Sequence, residues 1–286
     1  MRFAITLSDR FKPVLDVFLQ AGWQPVKVFC TPVDHRMHHN KMSVTFAEQR
    51  KLPLQLSPMR IRDLEDLAEQ GCDALLVGSY NWRIPDWTPY LKYAVNFHPS
   101  LLPVGRGPYP QVRALLDGHR EWGCTCHKVG PDFDTGDILE QERFPLGEAD
   151  SHQMLDVKLQ LALHRLSHRL AHDFERLWRE ARPQGEGGSY WPLWTDGDRM
   201  LDFARTTAEL LRQMRAFGDF ECAAVVNNVT FFIHRAEGWV ETHGFAPGSL
   251  IYSHAEQLLV ATGDGMLLIS EWSLYGPDAV TGRGRR

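Results

Sequence analysis

The start of the chain alternates strand-like and helix-like patterns, and this order constrains the fold more than any other feature of the sequence. Residues 3–7 are apolar enough for a buried strand, and Phe11–Ala21 has the spacing of an amphipathic helix. Pro13 lies in the first turn of that helix, Gly22 follows its end, and Val26–Phe29 predicts a second strand. A strand–helix–strand opening favours a parallel sheet, so we predict an α/β fold.

Segments further along the chain fit the same architecture. Ile61–Gln70 predicts a helix that ends at Gly71. Ala74–Val77 is apolar throughout, as expected for a strand that is covered on both faces. Cys124–Val129 and Ile138–Phe144 predict two more strands. No G-x-G-x-x-G follows the first strand, so a nucleotide cofactor of the dehydrogenase type is not expected.

Composition bounds the class of protein. The 286 residues are 43% hydrophobic and 23% charged, which is typical of a globular protein with one large domain and one small one. No apolar run approaches the roughly 20 residues that a membrane-spanning helix needs. The N-terminus has no signal-peptide layout, so we expect a cytoplasmic protein without a membrane partner. The net charge of −5 argues against a large nucleic-acid surface.

The cysteines predict reduced thiols. The chain has five of them, an odd number that is widely scattered, so no disulfide framework is expected. Cys124 and Cys126 fall on one face of a predicted strand, while Thr125 and His127 fall on the other. Because no second pair of ligands follows, we favour buried thiols over a metal site there.

Two groups of histidines raise the same question about metal. His35, His38 and His39 lie within five residues, but they lack regular ligand spacing, so a solvated loop is the better interpretation. Leu155–Arg182 predicts a long amphipathic helix. Three histidines share one face of that helix, and we favour a solvated face over a metal site: His164, His168 and His172.

A glycine-rich segment over residues 183–189 indicates a domain boundary. Beyond it, Thr207–Phe217 predicts a helix, and short apolar runs are then broken by hairpin signals such as Asn227-Asn228 and Gly263-Asp264-Gly265. The C-terminal part is therefore expected to be a small β barrel or sandwich, with a disordered basic tail over residues 282–286. We predict domains over 1–183 and 201–286, joined by a linker over 184–200.

The most distinctive stretch of the sequence is Asn96–Pro110, which contains four prolines and two glycines just after an apolar run. Such a run predicts a loop of defined shape, and loops beyond the strands of an α/β sheet commonly hold the site. Asn96 and His98 are two residues apart, so they point the same way in an extended segment. One offers an amide donor and the other a titratable imidazole. The alternative is a turn former or a satisfied polar group, which is the commoner role for a lone Asn or His.

A second segment supports the functional interpretation. Residues 96–103 contain N-x-H-P-S-L-L-P, and residues 134–139 read D-T-G-D-I-L. Together, in this order and spacing, they resemble the folate-dependent formyltransferase family. The resemblance implies a Rossmann-like catalytic domain followed by a smaller, OB-like β-rich domain. It also implies 10-formyltetrahydrofolate as the cosubstrate and no metal.

The resemblance further implies which residues act. Asn96, His98 and Asp134 match the catalytic residues of the family: an oxyanion donor, a proton carrier and the carboxylate that orients the imidazole. No nucleophilic Ser or Cys is required. In the family, the loop over residues 78–85 forms one wall of the pterin pocket, and residues 130–133 close over the ring; a structural turn with a packed Trp is the alternative for the first loop. The implied cofactor-binding residues are Asn81, Trp82, Ile84, Leu102, Val129, Gly130, Pro131, Asp132 and Phe133.

The acceptor side is less determined. Arg106 can bind a phosphate or carboxylate, or it can cap its own loop. Methionyl-tRNA enzymes typically have His-Gly-Ser where this chain has His98-Pro99-Ser100, and they carry a basic insertion that this chain lacks. We therefore expect a small-molecule amine, such as a nucleotide-linked amino sugar or an amino-acid derivative. A methionyl-tRNA acceptor is disfavoured, and a non-catalytic folate-binding protein is disfavoured further; a homodimer stays open. The implied substrate-binding residues are Ser100, Arg106, Gly107 and Tyr109.

Overall fold

The computed structural model describes residues 1–33 and 39–274. His35, His38 and the basic tail over residues 282–286 lie outside those ranges, so the predictions made for them are not taken further. The helices are α1 (Lys12–Gln20), α2 (Lys41–Gln49), α3 (Ile61–Glu69), α4 (Gln111–Leu116), α5 (His152–Arg179) and α6 (Thr207–Phe217).

The N-terminal part of the chain forms a mixed sheet of seven strands in the order β3-β2-β1-β4-β5-β6-β7. The first five strands are parallel, which confirms the predicted α/β architecture, whereas β6 and β7 are antiparallel to their neighbours. Only residues 129–137 join β6 to β7, too few for the crossover that parallel pairing needs. The strands are β1 (Arg2–Thr6), β2 (Gln24–Phe29), β3 (Leu54–Gln55), β4 (Ala74–Val77), β5 (Tyr93–His98), β6 (Glu121–Lys128) and β7 (Ile138–Pro145).

The order in which strands are added to the sheet reverses between β1 and β4, although the two strands are parallel. The chain runs outward from β1 to β2 and β3 and then returns to add β4 on the other side of β1. Between β1 and β2, α1 begins with Pro13 in its first turn and buries Val14, Leu15, Val17 and Phe18. A reversal of this kind opens a crevice at the carboxyl ends of the strands, which is where open α/β sheets bind their ligands.

The C-terminal part of the chain forms a second sheet, which is antiparallel throughout. The two-residue turn between β8 and β9 holds Asn227 and Asn228 at φ of 49° and 62°, as a tight hairpin of right-twisted strands requires. This confirms the predicted β-rich region. In the order β10-β11-β12-β9-β8, its strands are Leu250–His254, Gln257–Ala261, Gly265–Ser273, Val229–Val240 and Cys222–Val226.

The contacts divide the chain into two compact units that alternate along the sequence. The first unit contains residues 1–110, 121–145 and 156–192, and it includes the seven-stranded sheet. The second contains residues 111–120, 146–155 and 193–286, and it includes α4, α6 and the antiparallel sheet. The domains expected from the sequence are each one continuous segment, and their boundaries stay a prediction. Over residues 1–33 and 39–274, no helix combines the length and hydrophobicity that membrane crossing requires.

All five cysteines are free and buried, which confirms the prediction of reduced, packed thiols. Burial raises the pKa of Cys30 to about 12 and that of Cys72 to about 11, so both thiols are protonated at neutral pH. The face of α5 that carries His164, His168 and His172 is largely exposed, as predicted. Among the described residues, no group of three or more His, Cys, Asp or Glu side chains is arranged to hold a metal ion.

Candidate active site

The candidate site begins at the pairing of β5 with β6. In this antiparallel register Asn96 lies opposite His127, and His98 lies opposite Thr125. Asn96 and His98 face the same side of β5, as their spacing predicts, because side chains alternate along a strand. Both stand at the end of the strand, where the chain turns into the loop over residues 99–110.

Asp134 brings these groups together. Its Oδ1 accepts a hydrogen bond from Asn96 Nδ2 at 3.2 Å and lies 3.4 Å from His98 Nδ1. Its Oδ2 accepts from the backbone N–H of Gly107 at 2.9 Å. Asp134 has a φ of 57°, a left-handed conformation that Asp tolerates better than most residues. The structure thus places Asn96, His98 and Asp134 in direct contact.

The hydrogen bond of Nε2 determines the tautomer of neutral His98. His98 Nε2 lies 2.8 Å from the carbonyl oxygen of Gly105, and a carbonyl can only accept, so Nε2 carries a proton. The lone pair of the neutral ring is then on Nδ1, which faces Asp134. Because the side chain is only 5% exposed, the ring has a fixed position beneath the loop.

His127 is a member of this cluster that sequence reasoning missed. Its Nδ1 donates to the backbone oxygen of Lys128 at 2.7 Å, and its Nε2 accepts from Asn96 Nδ2 at 3.1 Å. The Asn96 amide is therefore directed by two acceptors, His127 and Asp134. The sequence pattern placed His127 and Thr125 on one face of β6. This pattern indicates that His127 belongs to the cluster only when the antiparallel pairing of β6 with β5 is known.

The two segments predicted to bind folate are loops that contact each other. The Arg83 side chain joins them: it donates to the backbone oxygen of Pro131 and lies 3.3 Å from the carboxylate of Asp132. Trp87 Nε1 donates to the backbone oxygen of Val129 at 3.2 Å. Ile84 and Val129 pack on the adjoining core while remaining partly exposed.

The other predicted pocket residues lie at the rim of these loops. Phe133 is 57% exposed, so its ring is accessible to a bound molecule. Trp82 is half-buried, with its ring centroid 5.3 Å from that of Tyr80. Asn81, Pro131 and Asp132 are exposed, and Gly130 is partly exposed.

The loop that follows β5 has a conformation that two of its glycines make accessible. Gly105 and Gly107 have φ of 71° and 101°. A Cβ on Gly107 would lie 2.4 Å from the backbone oxygen of Trp191, so only glycine can present its N–H to Asp134 here. Arg106, between them, donates from Nε and Nη2 to Gln184 Oε1 at 3.0 and 2.7 Å. The Tyr109 hydroxyl accepts from Arg10 at 2.8 Å.

Two predicted site residues lie inside the protein instead of at its surface. Ser100 is fully buried, and its hydroxyl donates to the backbone oxygen of Val104 at 2.7 Å. Leu102 is 3% exposed, and its backbone N–H donates to Thr125 Oγ1. The structure does not bring either side chain to a ligand surface. Their contacts hold the loop against β6.

Comparisons with known proteins decide the family. The family model described as "Formyl transferase" matches residues 65–169, and that described as "Formyl transferase, C-terminal domain" matches residues 194–284. A methionyl-tRNA formyltransferase from Alcanivorax borkumensis is 30% identical over 264 residues, which cover 90% of this chain and 77% of the relative. One from Methylobacillus flagellatus is 32% identical over 240 residues, covering 81% and 77%. The chain belongs to the formyltransferase family.

Solved structures share its fold. The N-formyltransferase from Helicobacter canadensis, in complex with folinic acid and dTDP-3-aminofucose, superposes with a TM-score of 0.68 at 16% identity over 95% of this chain and 99% of its own. HypX from Aquifex aeolicus in complex with tetrahydrofolic acid gives a TM-score of 0.64 at 19% identity over 95% of this chain, which spans 44% of HypX. These structures show that the chain has the same fold, and the family matches make it a formyltransferase by class.

The electrostatics of the candidate site follow from burial and from the pairing of its groups. Burial opposes ionisation of Asp134, but His98, His127 and the N–H of Gly107 outweigh it and lower the pKa of the carboxyl to about 2. Burial lowers the pKa of His98, although Asp134 and the Gly105 carbonyl act in the opposite direction. At neutral pH the site therefore holds an ionised carboxylate beside a neutral imidazole.

This pair gives a testable pH dependence. If neutral His98 is the active form, the rate should rise with pH through a pKa below 6.5, and the rising limb should disappear in His98→Gln, whose amide can still donate to Gly105. The check is kcat/KM for formyl transfer between pH 4.5 and 8. An unchanged limb in the variant would assign the titration to another group.

Stability should follow the same groups. Because the folded pKa of His98 is below its unfolded value of 6.5, its contribution is complete above pH 6.5 and is lost as the pH falls through the folded pKa. The contribution of Asp134 is complete above its unfolded pKa of 3.8 and is lost as the pH falls toward about 2. Both groups therefore make the fold less stable in acid.

Proposed function

We propose that the protein transfers the formyl group of 10-formyltetrahydrofolate to the amine of a small anionic molecule, such as a nucleotide-linked amino sugar or an amino-acid derivative. The observation that carries this proposal is the contact of Asn96, His98 and Asp134 at the carboxyl end of β5. This cluster offers an amide donor, a neutral imidazole and a carboxylate, which are the groups that acyl transfer to an amine needs.

The reaction sets three requirements. The acceptor nitrogen forms a bond to the formyl carbon, whose oxygen becomes an oxyanion; the bond from that carbon to N10 of the folate then breaks. The acceptor nitrogen loses one proton, and N10 gains one, so the products are the N-formyl acceptor and tetrahydrofolate. A site must therefore stabilise the oxyanion, take up a proton and return one.

The named side chains divide these tasks. The Asn96 amide is the donor for the oxyanion; its two Nδ2 hydrogens bond to Asp134 and His127 in the free site, so one of these bonds is exchanged for the bond to the oxyanion. Neutral His98 takes up the proton at Nδ1, the nitrogen that its bond to Gly105 leaves unprotonated. The carboxylate of Asp134 stabilises the imidazolium so formed.

The neighbouring loops suit a pterin. Ile84 and Val129 supply partly exposed apolar surface, and the segment over residues 129–133 offers backbone groups that can pair with the donors and acceptors of the ring. The exposed Phe133 at the rim fits the role of a side chain that covers a bound ring. Arg83 connects the two loops through an exposed contact with Pro131 and Asp132.

Arg106 supports an anionic acceptor. Its side chain is half-buried, and the described contacts of its Nε and Nη2 are both with the neutral amide of Gln184. A guanidinium has five donors and a full charge, so an amide oxygen leaves most of its capacity for a phosphate or carboxylate. By contrast, Arg10 already pairs with Asp156 at 3.1 Å.

A methionyl-tRNA acceptor is the second candidate. It is favoured by the methionyl-tRNA formyltransferases that are 30–32% identical to this chain over most of its length. The departures at His98-Pro99-Ser100 and the missing basic insertion weigh against it. A screen of amine acceptors decides between the two: 10-formyltetrahydrofolate is supplied with small anionic amines or with methionyl-tRNA, and release of tetrahydrofolate is followed. Efficient turnover with methionyl-tRNA and none with small amines would overturn the proposal.

Replacing Arg106 should affect anionic acceptors selectively. We expect Arg106→Ala to raise the KM for an anionic amine by roughly 10-fold or more, because a charge-assisted hydrogen bond contributes about 1.5–3 kcal/mol. The KM for a neutral amine should change little. Steady-state kinetics with both acceptors, and with the exposed Arg62→Ala as the control, measure the difference. Equal changes for both acceptors would assign Arg106 to the shape of its loop.

A further inference from the structure

We propose that Gln184 is a positioning residue that couples recognition of the acceptor's anionic group to the placement of the catalytic carboxylate. The inference rests on the proposed function for the role of Arg106. Its structural half, the placement of Asp134, stands on contacts within the first compact unit alone.

One amide side chain joins the two halves of the site. Gln184 Nε2 donates to the backbone oxygens of Asp134 at 2.8 Å and Gly136 at 2.9 Å. Its Oε1 accepts from Arg106 Nε and Nη2. Both ends of the amide are therefore in use. Its four hydrogen bonds join the loop over residues 129–137, which we call the catalytic loop, to the loop over residues 99–110, which we call the acceptor loop.

The catalytic loop needs such a partner. Asp134 is a non-glycine residue at a φ of 57°, a conformation that costs free energy and persists only where the surroundings impose it. The chain at Gly136 passes so close to Lys128 that a Cβ would lie 1.9 Å from its carbonyl oxygen. The loop is thus confined by β6 on one side, while the two Gln184 bonds restrain its outward-facing carbonyls.

Gln184 itself has a fixed position because of its neighbours in sequence. We call residues 182–191 the strap. Ser189 bonds to the acceptor loop in both directions, donating its N–H to Pro103 and accepting from the N–H of Arg106. The Trp191 ring stacks on Trp122 with a centroid distance of 5.7 Å. Residues 184–191 of the strap belong to the linker predicted over residues 184–200, and in the structure the strap is hydrogen-bonded to the acceptor loop.

This arrangement predicts a specific kind of coupling. An amide that accepts from a cation becomes a stronger donor at its nitrogen, because hydrogen bonds in a chain polarise one another. The state of Arg106 therefore influences how firmly Gln184 holds the carbonyls of Asp134 and Gly136. An acceptor anion that engages the remaining donors of Arg106 leaves the hydrogen bonds of Gln184 intact. A carboxylate at position 184, by contrast, would pair with the guanidinium and compete with the anion.

Two substitutions separate the two ends of the amide. Gln184→Ala removes both contacts, so kcat should fall by about 10- to 100-fold, as expected when a catalytic group shifts by about 1 Å, while the acceptor KM changes little. Gln184→Glu loses the donor to the catalytic loop but pairs more strongly with Arg106. It should show a similar loss of kcat together with a several-fold increase in KM for an anionic amine only.

The placement of Asp134 by Gln184 can be tested without an activity measurement. The charged and titratable neighbours of His98 are Asp134 and His127, and Asp134 is the one that raises its pKa. If Gln184→Ala lets Asp134 move away, the His98 pKa measured by NMR should fall below the wild-type value. Gln184→Asn, one methylene shorter, should lower it in the same direction. An unmoved His98 pKa in both variants would overturn the positioning role, whatever the acceptor is.

A matched control distinguishes positioning from general stability. Gln213 also donates from Nε2 to two backbone oxygens, those of Asp198 and Met200, but it lies in the second unit. Gln213→Ala should lower the melting temperature without changing kcat, KM or the His98 pKa. Wild-type kcat in both Gln184→Ala and Gln184→Glu would contradict the coupling, and so would equal KM values of these two variants for an anionic amine. Absence of formyl transfer by the wild-type enzyme would refute the proposed function instead.

Discussion

Replacing Asn96 with alanine should lower kcat by about 10² to 10³, because removal of one oxyanion donor typically has an effect of this size. The affinity for folate should change far less, since the lost interaction is strongest in the transition state. Asp134→Asn should have at least as large an effect. Its amide would direct hydrogens at one of the two donors that now bond to the carboxylate, Asn96 Nδ2 or the N–H of Gly107.

The double variant tests whether these residues act together. Because Asn96 and Asp134 are in contact, the Asn96→Ala, Asp134→Asn variant should lose much less than the product of the two single losses. Steady-state kinetics on the three variants, with folate affinity measured separately, provide the values. Single variants that retain near-normal kcat would remove this cluster from the mechanism.

Gly136→Ala is expected to have the other large effect. The added Cβ would lie 1.9 Å from the backbone oxygen of Lys128, so the loop must move, and Asp134 must move with it. We expect kcat to fall by about 10² or more, since a displacement of about 1 Å at a catalytic group has that effect. The measurement is kcat together with the His98 pKa, which reports the distance of the carboxylate.

Gly130 provides the control in the same segment. The nearest atoms to a Cβ on Gly130 lie at 3.5 Å, which is ordinary van der Waals contact, and its φ is not in the left-handed region. Gly130→Ala should therefore leave the His98 pKa at its wild-type value, and this pKa is the readout for the control because Gly130 is itself a predicted folate-binding residue. If the two alanine variants behave alike, close packing against Lys128 is not what positions the catalytic loop.

Local patterns in the sequence were sufficient for the fold class but not for the complete sheet topology. The alternation of strands and helices up to Ala74–Val77 predicted the parallel part of the sheet, and the hairpin at Asn227-Asn228 marked the antiparallel sheet. The antiparallel direction of β6 was not predicted. Periodicity assigns residues to a strand, but strand direction depends on the length and path of the connections.

The site was predicted to the extent that it lies on short motifs. Asn96 and His98 could be placed together by their spacing, and Asp134 was added through the resemblance. His127 was missed because its importance depends on its register opposite Asn96. Gln184 was missed for a related reason: its partners are Arg106 and the loop at Asp134, far away in sequence, and the glycines beside it suggested a linker.

The alternation of the two compact units has a consequence for how the gene can be cut and recombined. Six segments alternate between the units, so the chain passes from one unit to the other five times. Within the second unit, α4 buries Val112 and Leu115, and its main described partner among the helices is α6. A fragment that stops before α6 would keep α4 but expose its apolar face to water. Grafting a C-terminal region from another formyltransferase would therefore require residues 111–120 and 146–155 to be exchanged with it.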